Sequence, residues 1–120
     1  MEIYQGEPIG FKFNIKGDGE QGYLPSLEGR HFEALIASET NKKIKTWTTE
    51  DGSISIGVET VDDEPRGFAA FSVSGIETAD YKPGKYVLEI AEVLESGDGR
   101  AIGILRNSIN IKPAVIRKGI

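Results

Sequence analysis

The stretch Asp80-Tyr81-Lys82-Pro83-Gly84-Lys85-Tyr86-Val87-Leu88-Glu89-Ile90 decides how the rest of the chain is read. Proline at the second position of a turn pre-sets φ, and glycine at the third accepts the positive φ of a type II turn. Pro83-Gly84 is therefore read as such a turn, launching a strand. Side chains alternate along a strand, so Tyr86, Leu88 and Ile90 share one face. A tyrosine just after a corner between sheets often buries its ring and returns its hydroxyl to nearby backbone. Pro83, Gly84 and Tyr86 are accordingly assigned as a structural corner.

Upstream of the corner, 75–81 favours one helical turn, and 67–74 reads as a strand with Ala69, Phe71 and Val73 on one face. Downstream, a strand over 85–95 meets Ser96-Gly97-Asp98-Gly99, a strong hairpin signal, and a last strand covers 100–112. The apolar parity of that strand changes from Ile102 and Ile104 to Ile109 and Ile111, which requires a bulge or bend between them.

Nearer the start, Ile9, Phe11, Phe13 and Ile15 alternate with Gly10, Lys12, Asn14 and Lys16, the cleanest half-buried strand in the chain. Pro8 precedes it, where a missing donor is tolerated. A turn-rich connection over 17–30 follows, pinned to the core by Leu24 and Leu27. Strands over 32–39 and 43–48 form a hairpin through Thr40-Asn41. Asp51-Gly52 turns the chain into 53–60, where Ile54, Ile56 and Val58 alternate with Ser55, Gly57 and Glu59. Asp62-Asp63-Glu64-Pro65 reads as a loop, since Pro65 disfavours helix before it.

About seven short strands with turn signals between them, and no amphipathic helix of useful length, argue for an all-β protein. The expectation is an immunoglobulin-like antiparallel β-sandwich over 1–112, with 113–120 a C-terminal tail or the start of a linker. A chain of 120 residues forms one domain that buries roughly 65% of its unfolded surface without staples.

The absence of cysteine removes disulfides, thiolate nucleophiles and thiolate metal sites. A net charge of −5 with both signs interspersed gives no basic footprint for nucleic acid or anionic lipid. No apolar run approaches the roughly 20 residues that span a bilayer, and Met1-Glu2-Ile3-Tyr4-Gln5-Gly6 does not read as a signal peptide. The expected setting is the cytoplasm.

Chemistry has few candidates. His31 is the single histidine, and pairing it with Ser26 or Ser38 lacks a nucleophile elbow. The plainer reading is a histidine at the start of a strand. One imidazole without thiolates falls short of a zinc ligand set. Acids cluster at Asp62, Asp63 and Glu64 and at Asp18 and Glu20, without EF-hand spacing, and read as solvated loops. A glycosidase pair of Glu89 with Glu92 or Glu33 has no implied cleft. No catalytic residue, metal ligand or cofactor is assigned. Trp47 is read as core or interface, with stacking on a sugar ring as the competing role of a carbohydrate-binding module. Ile44 opposes Trp47 in parity, so one of the two is expected to face outward.

The segment Ile76-Glu77-Thr78-Ala79-Asp80-Tyr81-Lys82-Pro83-Gly84-Lys85-Tyr86-Val87-Leu88-Glu89-Ile90 resembles the immunoglobulin-like N-terminal domains of phage baseplate proteins, of the upper-baseplate and receptor-binding type, prophage copies included. Three further features share that layout: the early strand after a glycine turn (6–15), the strand containing Phe32-Glu33-Ala34-Leu35-Ile36, and the closing triplet Ile109-Asn110-Ile111. Family members usually continue into further domains, whereas this sequence stops at Ile120. The resemblance implies a non-enzymatic structural role in a tail or baseplate, with other virion proteins or further copies of the chain as partners. It places the protein in the bacterial cytoplasm during assembly and then in the virion.

Overall fold

A computed structural model describes residues 1–16, 22–40, 42–93 and 101–114, with the backbone alone for 101–104. Eight strands appear among them: β1 (Glu2–Tyr4), β2 (Ile9–Phe13), β3 (His31–Ser38), β4 (Lys43–Thr48), β5 (Ser55–Val61), β6 (Glu64–Val73), β7 (Gly84–Val93) and β8 (Ala101–Lys112). One short helix, α1 (Gly75–Ala79), joins β6 to β7. The strands form two sheets, ordered β1-β8-β7-β3-β4 and β2-β6-β5. The chain crosses between the two sheets at β1–β2, β2–β3, β4–β5 and β6–β7, and a helical corner precedes β7. This is the immunoglobulin-like β-sandwich that the strand pattern implies.

The inward faces follow the period-two pattern. Phe32, Ala34 and Ile36 of β3, Tyr86, Leu88 and Ile90 of β7, and Ile109 and Ile111 of β8 are buried. Opposite them lie Ile9 of β2 and Ala69, Phe71 and Val73 of β6. Fully burying each large aliphatic or aromatic side chain stabilises by about 1.5–3 kcal/mol. Leu27 is wholly buried, as its pinning role requires, while Leu24 packs at the margin of the core. Gly67 allows the 24–27 segment to reach β6. Its N–H donates to Leu24 O at 2.8 Å, and a Cβ there would stand 2.8 Å from Leu27 N.

Five sequence expectations need correction. The sheets are not wholly antiparallel, because β1 pairs parallel to β8, with Ile3 opposite Ile111. Three residues carry too little pattern to announce a strand, although exposed Glu2, buried Ile3 and exposed Tyr4 do alternate. The first long strand stops at Phe13, where the Asn14 side chain turns to donate to Gly67 O at 2.8 Å. Glu64 and Pro65 belong to β6, not to a loop. Only Asp62 and Asp63 turn, at φ of 52° and 65°, and Val61 pairs with Glu64 across them. That is a two-residue hairpin, and Pro65 sits near the start of its strand, where a missing donor is tolerated.

The fourth correction concerns Ile44 and Trp47. The β3–β4 register steps from Ile36↔Lys45 to Ala37↔Lys43, so Ile44 is the extra residue of a bulge. The bulge resets parity, and both Ile44 and Trp47 pack on the core. The fifth concerns the corner. Gly84 has φ of +147°, not the value near +80° of a type II turn, and it already pairs with Ile111 in β7. The bulge expected in the last strand is present: Ile90↔Leu105 is followed by Ala91↔Gly103, which leaves Ile104 unpaired. The turn at Ser96-Gly97-Asp98-Gly99, Asn41, the acids Asp18 and Glu20, and residues 115–120 of the tail lie outside the described residues.

Candidate functional site

The corner is built from three elements. Ser74 caps α1, its Oγ accepting from Glu77 N–H at 3.2 Å. Thr78, fully buried, accepts from Gly6 N–H at 3.1 Å and donates to Glu7 O at 2.8 Å, tying the β1–β2 connection to the helix. Gln5 donates from Nε2 to Tyr81 O at 2.7 Å. The chain then passes Pro83 and Gly84, and Tyr86 returns its hydroxyl to Lys82 O at 2.5 Å. Pro83, Gly84 and Tyr86, which the sequence reading groups as a structural corner, line one cleft at this end of the sandwich. That cleft, of about 470 Å³, opens toward Ser38, Lys42 and Ile44.

Trp47 lies elsewhere, at the end of β4. It is 2% exposed and leans on Phe71, ring centroids 4.8 Å apart. Its indole N–H donates to Ser72 O at 3.0 Å. The β5–β6 ladder ends at Ser55↔Ala70, so Trp47 supplies a donor to β6 two residues beyond the last pair. The structure therefore gives this ring to the core and leaves it no open face on which a sugar could stack. Lys45, whose Nζ stands 5.6 Å from the Trp47 ring centroid, pairs with Glu77 of α1 at 2.5 Å.

Of the acidic candidates, Glu33 and Glu89 share a face and Glu92 does not. Glu89 and Glu92 are three apart on β7 and point to opposite faces. Glu92 takes a two-pronged contact from Arg30 at 2.7 and 2.6 Å. Glu33 and Glu89 share the outer face of the five-stranded sheet around a depression of about 380 Å³, and Arg106 stands 3.3 Å from Glu89. His31 and Ser38 begin and end β3, roughly 23 Å apart at strand rise. Ser26 accepts from Glu28 N–H, a local turn bond. Among the described residues no group of three or more histidines or carboxylates is placed to hold a metal. No helix among them is long and apolar enough to cross a membrane.

What sequence reasoning could not locate is the set of sheet edges with no strand beside them among the described residues, because edges follow from strand order. The five-stranded sheet ends in β1 and β4, and the three-stranded sheet in β2 and β5. β1 has three residues, and Glu7 accepts from its Tyr4 N–H at 3.1 Å. β4 carries Lys43, Lys45 and the bulge at Ile44. β2 follows Pro8 and carries Lys12. Short length, charged side chains (lysine above all), proline and bulges are the devices that blunt an edge. β5 has seven residues, no lysine, proline or bulge, and one charge, Glu59, which is paired with Lys12 of β2. Its Val58 is 56% exposed.

No protein-family model and no curated protein matches the chain. Two of the solved structures to which it is similar are the following. One is CopC from Methylosinus trichosporium OB3b, at 14% identity over 93% of this chain and 82% of that one, with a TM-score of 0.42. The other comes from aggregative adherence fimbriae of enteroaggregative Escherichia coli, at 13% identity over 93% and 90%, with a TM-score of 0.45. Likenesses so distant say nothing of function, and the strand topology itself carries the fold.

Proposed function

We propose that this chain is a non-enzymatic assembly domain of a phage or prophage tail or baseplate, acting through protein–protein contacts. The observation that carries the reading is the edge of β5, along which no strand pairs among the described residues and which presents an exposed valine, Val58. Such an edge accepts another strand through main-chain hydrogen bonds, and its alternate side chains select the partner. The resemblance of the 76–90 segment to baseplate domains supplies the tail setting, and that segment here forms the corner on which the sandwich closes.

The test is co-expression of the tagged chain with the products of its neighbouring genes. Tail or baseplate genes should flank it, and at least one of their products should be retained through salt washing. A neighbourhood of polysaccharide-utilisation genes, with no tail protein retained, overturns the proposal.

A further inference from the structure

We infer that β5 pairs antiparallel with β5 of a second copy, joining two three-stranded sheets into one of six strands. The inference rests on the assembly reading and names a second copy of this chain as a partner. Three other edges are blunted by length, lysine, proline or a bulge, which leaves β5 as the strand able to extend its sheet.

The register is selected by the side chains. Two-fold antiparallel pairing brings residues of equal parity opposite each other, so it must centre on one residue. Centring on Glu59 would set two carboxylates face to face, which is destabilising. Centring on Gly57 would set glycine against glycine and gain no side-chain contact. Centring on Val58 sets Val58 against Val58, Ile56 against Thr60 and Glu59 against Gly57. The first two are β-branched pairs of the kind that stabilises a sheet. Glu59 stays neutralised by Lys12, 2.5 Å away on β2 of its own copy. The exposed Val58 side chain then covers its twin on the symmetry axis.

A seven-residue edge is a small interface, so the dimer is concentration-dependent. Opposed residues in such a pair have Cα atoms about 4.5–5.5 Å apart, within reach of a disulfide. The chain has no cysteine, so a single introduced thiol reports the geometry. Val58→Cys should form a covalent dimer under mild oxidation roughly tenfold faster than Ser108→Cys, an exposed site on β8 of the other sheet. The unmodified protein should gain mass with concentration in sedimentation, and Val58→Lys should hold it monomeric with an unchanged melting temperature. Equal cross-linking at the two sites, a monomer at every concentration, or a dimer that survives Val58→Lys overturns the pairing. A monomer that still retains a tail protein overturns the pairing alone. A Val58-linked dimer that retains none leaves the pairing standing without the assembly reading.

Discussion

Tyr86, at the start of β7, donates its hydroxyl across 2.5 Å to the carbonyl oxygen of Lys82, four residues back in the chain. The bond ties the strand back onto the segment that leads into it. Gly84 is already paired with Ile111, so the strand begins directly after Pro83. Tyr81 stacks on Tyr86 with centroids 6.0 Å apart, yet its hydroxyl is buried with no hydrogen-bond partner among the described residues.

The two tyrosines should therefore respond oppositely to loss of the hydroxyl. Tyr86→Phe removes one partner of a satisfied bond and should cost about 1 kcal/mol. Tyr81→Phe removes a polar atom that has no partner, and should be neutral or slightly stabilising. Urea denaturation of both variants decides the matter. Equal losses at the two positions would show that the Tyr86 bond is not what holds the corner.

Thr78 is the second fastening of that corner, since one hydroxyl serves Gly6 and Glu7. Thr78→Val keeps the shape but removes two hydrogen bonds at once, from the Gly6 N–H and to the Glu7 carbonyl. The expected loss is about 1–3 kcal/mol. Amide exchange at Gly6 should accelerate more than exchange at Leu88, deep in β7. A variant within about 0.5 kcal/mol of the parent protein, the range of an ordinary surface change, would refute the role.

The Asp62-Asp63 turn offers a gain instead of a loss. Both residues hold positive φ, which glycine and asparagine tolerate better than other residues. Asp62→Asn with Asp63→Gly should stabilise the β5–β6 hairpin by about 0.5 kcal/mol, after the extra freedom glycine gives the unfolded chain. The change also removes two of the three acids clustered at 62–64, leaving Glu64. A lower melting temperature would mean that the carboxylates themselves hold the turn.

The parity of apolar residues was enough to place β3, β4, β6 and β7 and to demand a bulge or bend in the last strand, which the pairing with β7 puts at Ile104, because a buried face leaves little choice of register. It was not enough for β1, whose three residues bury only Ile3. Parity also set Ile44 against Trp47, and only pairing with β3 shows the extra residue that reconciles them. The corner residues were legible because proline, glycine and tyrosine each impose a local geometry. The open edge of β5 was not, since an edge is defined by the strand that fails to lie beside it.

Alkaline pH should weaken the fold through the same corner. Burial, then the Glu77 charge and then Tyr86, raise the Tyr81 hydroxyl above its ordinary value of 10.0, and burial raises Tyr86 likewise. An acid whose folded value is raised stays protonated in the native chain at pH where the unfolded chain has ionised. The unfolded state then binds fewer protons, so stability falls as pH rises. The contribution is complete below about pH 10 and is lost as pH climbs through the folded values. Urea midpoints should hold level near pH 8 and drop toward pH 11, and Tyr81→Phe should flatten part of that drop. A midpoint that rises over this range would place the alkaline sensitivity outside the corner, and a drop that Tyr81→Phe leaves untouched would take Tyr81 out of it.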